Sequence, residues 1–337
     1  MIATSSRFLQ TELRVSAPAH SWEEACRLAA QCDYVLFSPL FDSVSKSGYR
    51  GAIDPAEVCQ LLRRYHDGNM IALGGITLQN ISLARAAAFD GVAAIGSIWK
   101  LDSTGAIDVS RTRLAYQRLT RRWQAAGGTL QFISDGTLAT VEAYLKGGGR
   151  WVQLRMKETP AETIITRGKT LLPLCHQYGA LLIVNDDPQL AAAIGADGVH
   201  LGQSDMAPDD ARKLGGERAI IGCTANTFEQ IQKIAQSSAD YIGLGPFRYT
   251  TTKKNLAPLL GVEGYTRIMQ QMAEAGIRLP LVAIGGITLE DVPQIMACGV
   301  NGLAISGSIS HAADVTSTTA QFVTKIAQHR TVIMPKS

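Results

Sequence analysis

The sequence predicts an α/β fold, a (β/α)8 TIM barrel preceded by a half-barrel-like (β/α)4 segment that resembles strands 5–8 of the same fold. Three observations carry this prediction. Short apolar runs rich in Val, Ile and Leu recur about every 20 to 30 residues with helical stretches between them, the signature of βαβ units and a parallel sheet. From residue 129 onward there are eight such runs, the number that a closed barrel requires; an open doubly wound sheet is the competing arrangement. The segment before residue 129 repeats the motifs of the last four runs and has no room for the first four.

That repeat sets the first element, a partial copy over 1–107. DYVLFSPLFDSVSK (33–46) lines up with DYIGLGPFRYTTTK (240–253), and IALGGIT (71–77) with VAIGGIT (282–288). GVAAIGSI (91–98) matches GLAISGSI (302–309), and HSWEE (20–24) resembles NTFEQ (226–230). Four collinear matches are poorly explained by chance. A linking helix follows over 108–128, closed by Gly127 and Gly128. The complete barrel then occupies 129–330, with strands expected at 130–134, 150–155, 180–184, 197–201, 219–222, 240–244, 280–285 and 301–306.

Composition excludes several function classes. The 337 residues are 46% hydrophobic and 18% charged, which fits a chain with a buried core and not a disordered one. Against 29 acidic residues stand 32 basic ones with no run beyond short pairs, so a nucleic-acid partner is not expected. Six scattered cysteines form no C-x-x-C pair; they read as buried small hydrophobes in a reducing compartment. The N-terminus lacks the apolar core of a signal peptide and no stretch is long enough to span a membrane, so a cytoplasmic protein with no membrane partner is expected.

In a (β/α)8 barrel the chemistry sits at the C-terminal strand ends, and that rule selects a short group of residues. The second strand ends in Gln153, Leu154, Arg155, Met156 and Lys157, where a period of two sends Gln153, Arg155 and Lys157 to one face. Two inward cations are costly without an anion, so this is a salt-bridged cluster or, more sharply, a polyanion site. The third and fourth strands end in Asn185-Asp186-Asp187 and Gly202-Gln203-Ser204-Asp205. Asp186 and Asp205 are the candidate ligands of Mg²⁺, which takes one or two carboxylates together with phosphate oxygens; Asp187 before Pro188 reads as a helix cap. His200, between apolar Val199 and Leu201, reads as a structural residue before a catalytic one. Thr250, Thr251, Thr252, Lys253 and Lys254 form a hydroxyl-rich loop, while Gly285, Gly286, Ile305 and Ser306 occupy the usual phosphate position after strands 7 and 8. Two anion sites across one barrel mouth suggest two phosphorylated substrates. No P-loop, nucleophile elbow or H-E-x-x-H pair is present.

Five ordered motifs, QLRMK (153–157), VNDD (184–187), GADGVHLGQSD (195–205), GLGPFRYTTTKK (243–254) and AIGGIT (283–288), make residues 129–311 resemble the thiamine-phosphate synthases. These transferases of thiamine biosynthesis couple hydroxymethylpyrimidine diphosphate to thiazole phosphate. The resemblance implies that Gln153, Arg155, Lys157, Asn185 and Lys253 hold the pyrimidine diphosphate, with Mg²⁺ on Asp186 and Asp205. It places Thr224 at the usual serine position, Thr250 and Thr252 against the thiazole, and Gly286, Ile305 and Ser306 on its phosphate. Arg155, Lys157 and Lys253 would stabilise the departing diphosphate. Asn226 departs from the family's histidine. A thiazole tautomerase is the alternative enzyme, against which QLRMK and the Asp motifs count.

The N-terminal segment resembles the same superfamily and keeps His20, Ser43, Ser45, Lys46, Gly74 and Gly75, but Ile95 replaces the phosphate-site serine and it has no counterpart of QLRMK, the Asn-Asp pair or the Gly-Gln-x-Asp motif. It is expected not to catalyse coupling. Two raw sheet edges make it a candidate dimerisation module, closing an eight-stranded barrel with a second copy. A chain start upstream of Met1, supplying the missing strands, is the other reading.

Overall fold

Repeated βα units leave two ways to satisfy a strand edge, pairing around a closed ring or stopping at an edge, and the chain uses both. The computed structural model describes residues 14–42, 70–87, 89–127, 129–249 and 259–329. Two compact units divide after Trp123, within the helix Val109–Gly127, so the boundary falls inside the expected linking helix and not at its ends.

The first unit holds a parallel sheet in sequential order, β1 (Ser16–Ala19), β2 (Tyr34–Phe37), β3 (Met70–Leu73) and β4 (Gly91–Ala93). The second is a closed barrel of β5 (Leu130–Ser134), β6 (Trp151–Leu154), β7 (Leu181–Asn185), β8 (Gly198–Leu201), β9 (Ile220–Ala225), β10 (Tyr241–Leu244), β11 (Leu281–Ile284) and β12 (Gly302–Ile305). Closure is made by β12 pairing in parallel with β5, Leu303 facing Leu130. All eight expected strands are present. β6 stops at Leu154, however, where the Arg155 amide makes its last ladder bond to the Ser134 carbonyl at 2.8 Å. Arg155 and Lys157 therefore lie beyond the strand, and the period-two reading that put them on one face with Gln153 does not reach them.

Barrel strands are buried on both sides, which is why they read as continuous apolar runs. Their outer faces pack with the helices around Leu154, Leu182, Val199, Leu244 and Leu303. Inside, Trp151, Ile183, Ile220, Tyr241, Val282 and Ala304 form a separate cluster joined by Ala125. Large rings fit because small residues face them: a Cβ on Gly222 would stand 2.1 Å from the Tyr241 ring. Trp151 meets Tyr241 edge to face with centroids 4.7 Å apart. Cys175, Cys223 and Cys298 are buried as expected; Cys26 and Cys32 are only half-buried, and Cys59 lies outside the described residues.

One device recurs in both units. The residue just before a strand turns its side chain onto an amide at the start of the preceding strand, which has no ladder partner there. Asp197 accepts from Leu182 at 2.7 Å, Asp240 from Ile221 at 2.9 Å and Asn301 from Leu281 at 2.8 Å. In the first unit Asp33 accepts from Val15 at 2.6 Å and Asp90 from Met70 at 2.8 Å. Asp240 is fully buried and also pairs with Arg212 at 2.6 Å. Asp240→Ala leaves a buried guanidinium without that carboxylate, and the free energy of urea unfolding should fall by roughly 3–5 kcal/mol.

Candidate active site

The C-terminal strand ends of the barrel carry two polar clusters with a buried hydrogen-bonded floor beneath them. The floor centres on Tyr241, whose hydroxyl receives Gln131 Nε2 at 3.1 Å and lies 2.9 Å from His200 Nδ1, with a further side-chain hydrogen bond from Gln153. His200 Nε2 in turn lies 3.0 Å from Thr224 Oγ1. Gln131, Gln153 and His200 are buried, and burial pushes the Tyr241 hydroxyl far above its ordinary range, so it stays protonated. His200 is thus a satisfied structural residue. It orients the Thr224 hydroxyl, which sits inside β9 and not after it.

The first cluster stands on β6, β7 and β8. Leu154 is buried in the core and Met156 packs against it, which leaves Gln153 to the interior and Arg155 half-buried above it. Burial lowers the Arg155 guanidinium below its usual value and the Asp186 charge opposes that shift, so the two groups sense each other across adjoining strand ends. Lys157 is exposed in the following turn. Asn185 closes β7, and Asp186 takes a left-handed backbone with φ of 68°. A non-glycine residue there is locally strained, as functional positions often are. Asp187 caps the next helix through Gln189 and Leu190 as expected.

Asp205 holds the turn after β8, its Oδ2 accepting from the Gly202 amide at 2.6 Å. Two hard carboxylates at neighbouring strand ends match the needs of Mg²⁺, which completes its shell with phosphate oxygens and water. Among the described residues no group of three His, Cys, Asp or Glu could cage an ion. The donor set therefore fits a cation carried with a phosphorylated substrate.

The second cluster is the turn after β11 and the end of β12. Gly285 and Gly286 have φ of 105° and 65°, and a Cβ on Gly285 would stand 2.8 Å from Pro246, so the turn needs glycine twice over. Ile305 is buried, while Ser306 is half-buried with its hydroxyl donating to the Ile133 carbonyl at 2.9 Å. Sequence reasoning missed the brace beside this turn. Arg248 Nη2 lies 2.5 Å from Asp291, whose carboxylate also accepts from the Thr288 amide at 2.8 Å and hydroxyl at 2.9 Å. The signal was local, a Thr-x-x-Asp capping box, but its arginine lies 43 residues away. Thr250, Thr251, Thr252, Lys253 and Lys254 lie outside the described residues, as do Ser43, Ser45 and Lys46.

The first unit reproduces the second cluster's scaffold. Gly74 and Gly75 have φ of 94° and 64°, and a Cβ on Gly74 would stand 2.9 Å from Pro39. His20 Nδ1 donates to the Ser38 carbonyl at 2.7 Å, and the matching Asn226 amide donates to the Gly245 carbonyl. Asparagine thus serves the contact that histidine makes in the copy.

Comparison with known proteins agrees with both stretches. The family model described as thiamine monophosphate synthase matches residues 1–98 and 129–309. A thiamine-phosphate synthase of Bacteroides thetaiotaomicron is 50% identical over 200 residues, covering 58% of this chain and 96% of that protein. One of Bacteroides fragilis is 52% identical over 191 residues, covering 55% of this chain and 94% of its own length. The solved thiamine phosphate pyrophosphorylase of Pyrococcus furiosus superposes with a TM-score of 0.54 at 30% identity, over 59% of this chain and 95% of that structure. With both stretches matched and such relatives covered over nearly their whole length, this chain belongs to the thiamine monophosphate synthase family.

Proposed function

We infer that the barrel is a thiamine-phosphate synthase, a transferase that joins the hydroxymethylpyrimidine of its diphosphate ester to the nitrogen of thiazole phosphate, releasing diphosphate. The observation that carries this reading is the pairing of an Arg155–Asp186 cluster with a second, glycine-built anion site at the same mouth. A tautomerase would need only the second.

Arg155, Lys157 and Lys253 would gain interaction as negative charge builds on the departing diphosphate, which stabilises the transition state more than the ground state. Asp186 and Asp205 would hold Mg²⁺, whose contribution when bound is to neutralise that same charge. Gln153 and Asn185 orient the pyrimidine diphosphate. The electron-rich pyrimidine stabilises the carbon left behind, and the thiazole nitrogen attacks with a lone pair that carries no proton. No general base is required. Thr224, Thr250, Thr251 and Thr252 supply hydroxyls to the substrates, and the backbone of Gly286, Ile305 and Ser306 cradles the thiazole phosphate, with the Leu154 and Met156 backbone completing the diphosphate side.

The N-terminal unit, 1–107 with its linking helix 108–128, serves as a non-catalytic interaction module, and the barrel of 129–330 is the catalytic unit. Among the described residues its edge strands β1 and β4 each pair on one side, whereas the matching β9 and β12 also pair with β8 and β5. Tyr34, Leu36, Ile71 and Leu73 are half-buried on the face whose barrel counterparts include Tyr241, Val282 and Ile284. A second copy would supply four strands and close a ring of eight. No helix among the described residues is long and apolar enough to cross a membrane.

Three measurements test these readings. Asp186→Ala should abolish coupling of the two phosphorylated substrates in the presence of Mg²⁺ while leaving the circular dichroism unchanged; full activity would sink the metal assignment. Arg248→Ala should raise KM for thiazole phosphate about tenfold, the equivalent of ~1.4 kcal/mol, with a smaller change in kcat. Light scattering should give twice the chain mass, and a monomer would contradict the closed-ring reading.

A further inference from the structure

The first unit contains a cavity of about 290 Å³ between the turn that follows β4 and the helix Val109–Gly127. Three cations line it, Lys100 from the turn and Arg111 and Arg118 from the helix, and among the described residues no acidic one does. Arg111, Ala115 and Arg118 share one helical face at successive turns, with Leu114 beside them as an apolar floor. Lys100 Nζ reaches the Gly96 carbonyl at 3.3 Å and Arg111 Nη1 the Leu101 carbonyl at 3.5 Å, contacts to neutral acceptors and not to carboxylates. The carboxylates nearby in sequence are occupied locally: Asp102 accepts from Thr104 and Ala106, and Asp108 from the Arg111 amide.

A second observation points the same way. Ser97 Oγ is buried at this cavity and has no hydrogen-bond partner. Its counterpart in the barrel, Ser308, donates to the Ile287 carbonyl at 2.7 Å. Buried hydroxyls are normally paired, so an orphan one beside three cations marks a place where an acceptor is expected.

We propose that this cavity binds a phosphate monoester with a small apolar body. Arginine forks and an ammonium match phosphate oxygens, the Ser97 hydroxyl donates to another, and the volume exceeds what a bare phosphate fills, leaving the floor of Leu114 and Ala115 for the organic part. The site is not a remnant of the barrel's own phosphate turn. Exposed Ile95 stands where that turn has Ser306, while the cavity is built from Ser97, Lys100 and the helix.

The test is calorimetric titration of the full chain with phenyl phosphate and, separately, with inorganic phosphate. Wild-type chain should bind phenyl phosphate at this site at least tenfold more tightly than inorganic phosphate. The Lys100→Ala/Arg111→Ser double variant should weaken phenyl phosphate binding at this site at least tenfold. Ala115→Phe, which fills the cavity and keeps all three cations, should do the same. Uptake unchanged in either variant overturns the site, because retention in Ala115→Phe would show attraction by surface charge alone. Equal affinity for the two probes overturns the assigned ligand class. Ser97→Ala, a mild change at the orphan hydroxyl, supplies a variant in which folding is not at risk; it should weaken binding severalfold, and an unchanged affinity removes the hydroxyl from the site.

Discussion

The barrel depends on what its closure does to one hydroxyl. A ring of eight parallel strands excludes water from its interior, so any polar group there must find its partners among side chains on other strands. Tyr241 places its hydroxyl at that point, where Gln131 from β5, His200 from β8 and Gln153 from β6 converge on it. Four strands are thereby held in one register by one oxygen. The arrangement extends to β9, since the other nitrogen of His200 lies 3.0 Å from the hydroxyl of half-buried Thr224. The floor of the site and the core of the fold are the same set of contacts.

That continuity explains which parts of the molecule were legible in the sequence. Strands buried on both faces read as unbroken apolar runs, and all eight appear where Val, Ile and Leu accumulate. The N-terminal copy was equally legible, because DYVLF and IALGGIT repeat both the pattern and the turn glycines of the barrel. The polar interior was not. Tyr241 and Gln131 look like minor interruptions of apolar strands, and only ring closure brings residues 110 positions apart into contact. Strand ends were also hard to read: QLRMK alternates in sequence, but the ladder ends at Leu154 and Arg155 leaves the sheet.

The glycine turn after β11 illustrates how one turn can be braced in two ways. In the barrel, Asp291 ties the Thr288 hydroxyl and amide, Gln294 and Arg248 into one knot, so the β11 turn is fixed to the segment after β10. In the first unit Asn80 stands at the matching position. It accepts from the Thr77 amide at 2.7 Å and donates directly to the Gly75 carbonyl at 2.8 Å. A neutral amide, with a donor of its own, needs no arginine. The acidic version pairs with a cation and thereby couples the turn to a distant loop.

The contrast extends to the whole half-barrel. What it shares with the barrel are bonds that satisfy backbone: side chains before strands that accept orphan amides, a donor onto the carbonyl before Pro39 or Pro246, and glycines where a Cβ would collide. Losing one of the bonds leaves a backbone group without that partner, and a Cβ at either glycine collides with neighbouring backbone, costs that fall on folding itself. What it has no counterpart of in sequence is the cluster of Gln153, Arg155, Asn185 and Asp186, where a half-buried guanidinium and a carboxylate sense each other at adjoining strand ends. Taking such charges out of water costs stability unless they are paired. The frame of the half-barrel is therefore held by bonds that serve folding in both units, and it does not require the charged residues that stand at the strand ends of the barrel.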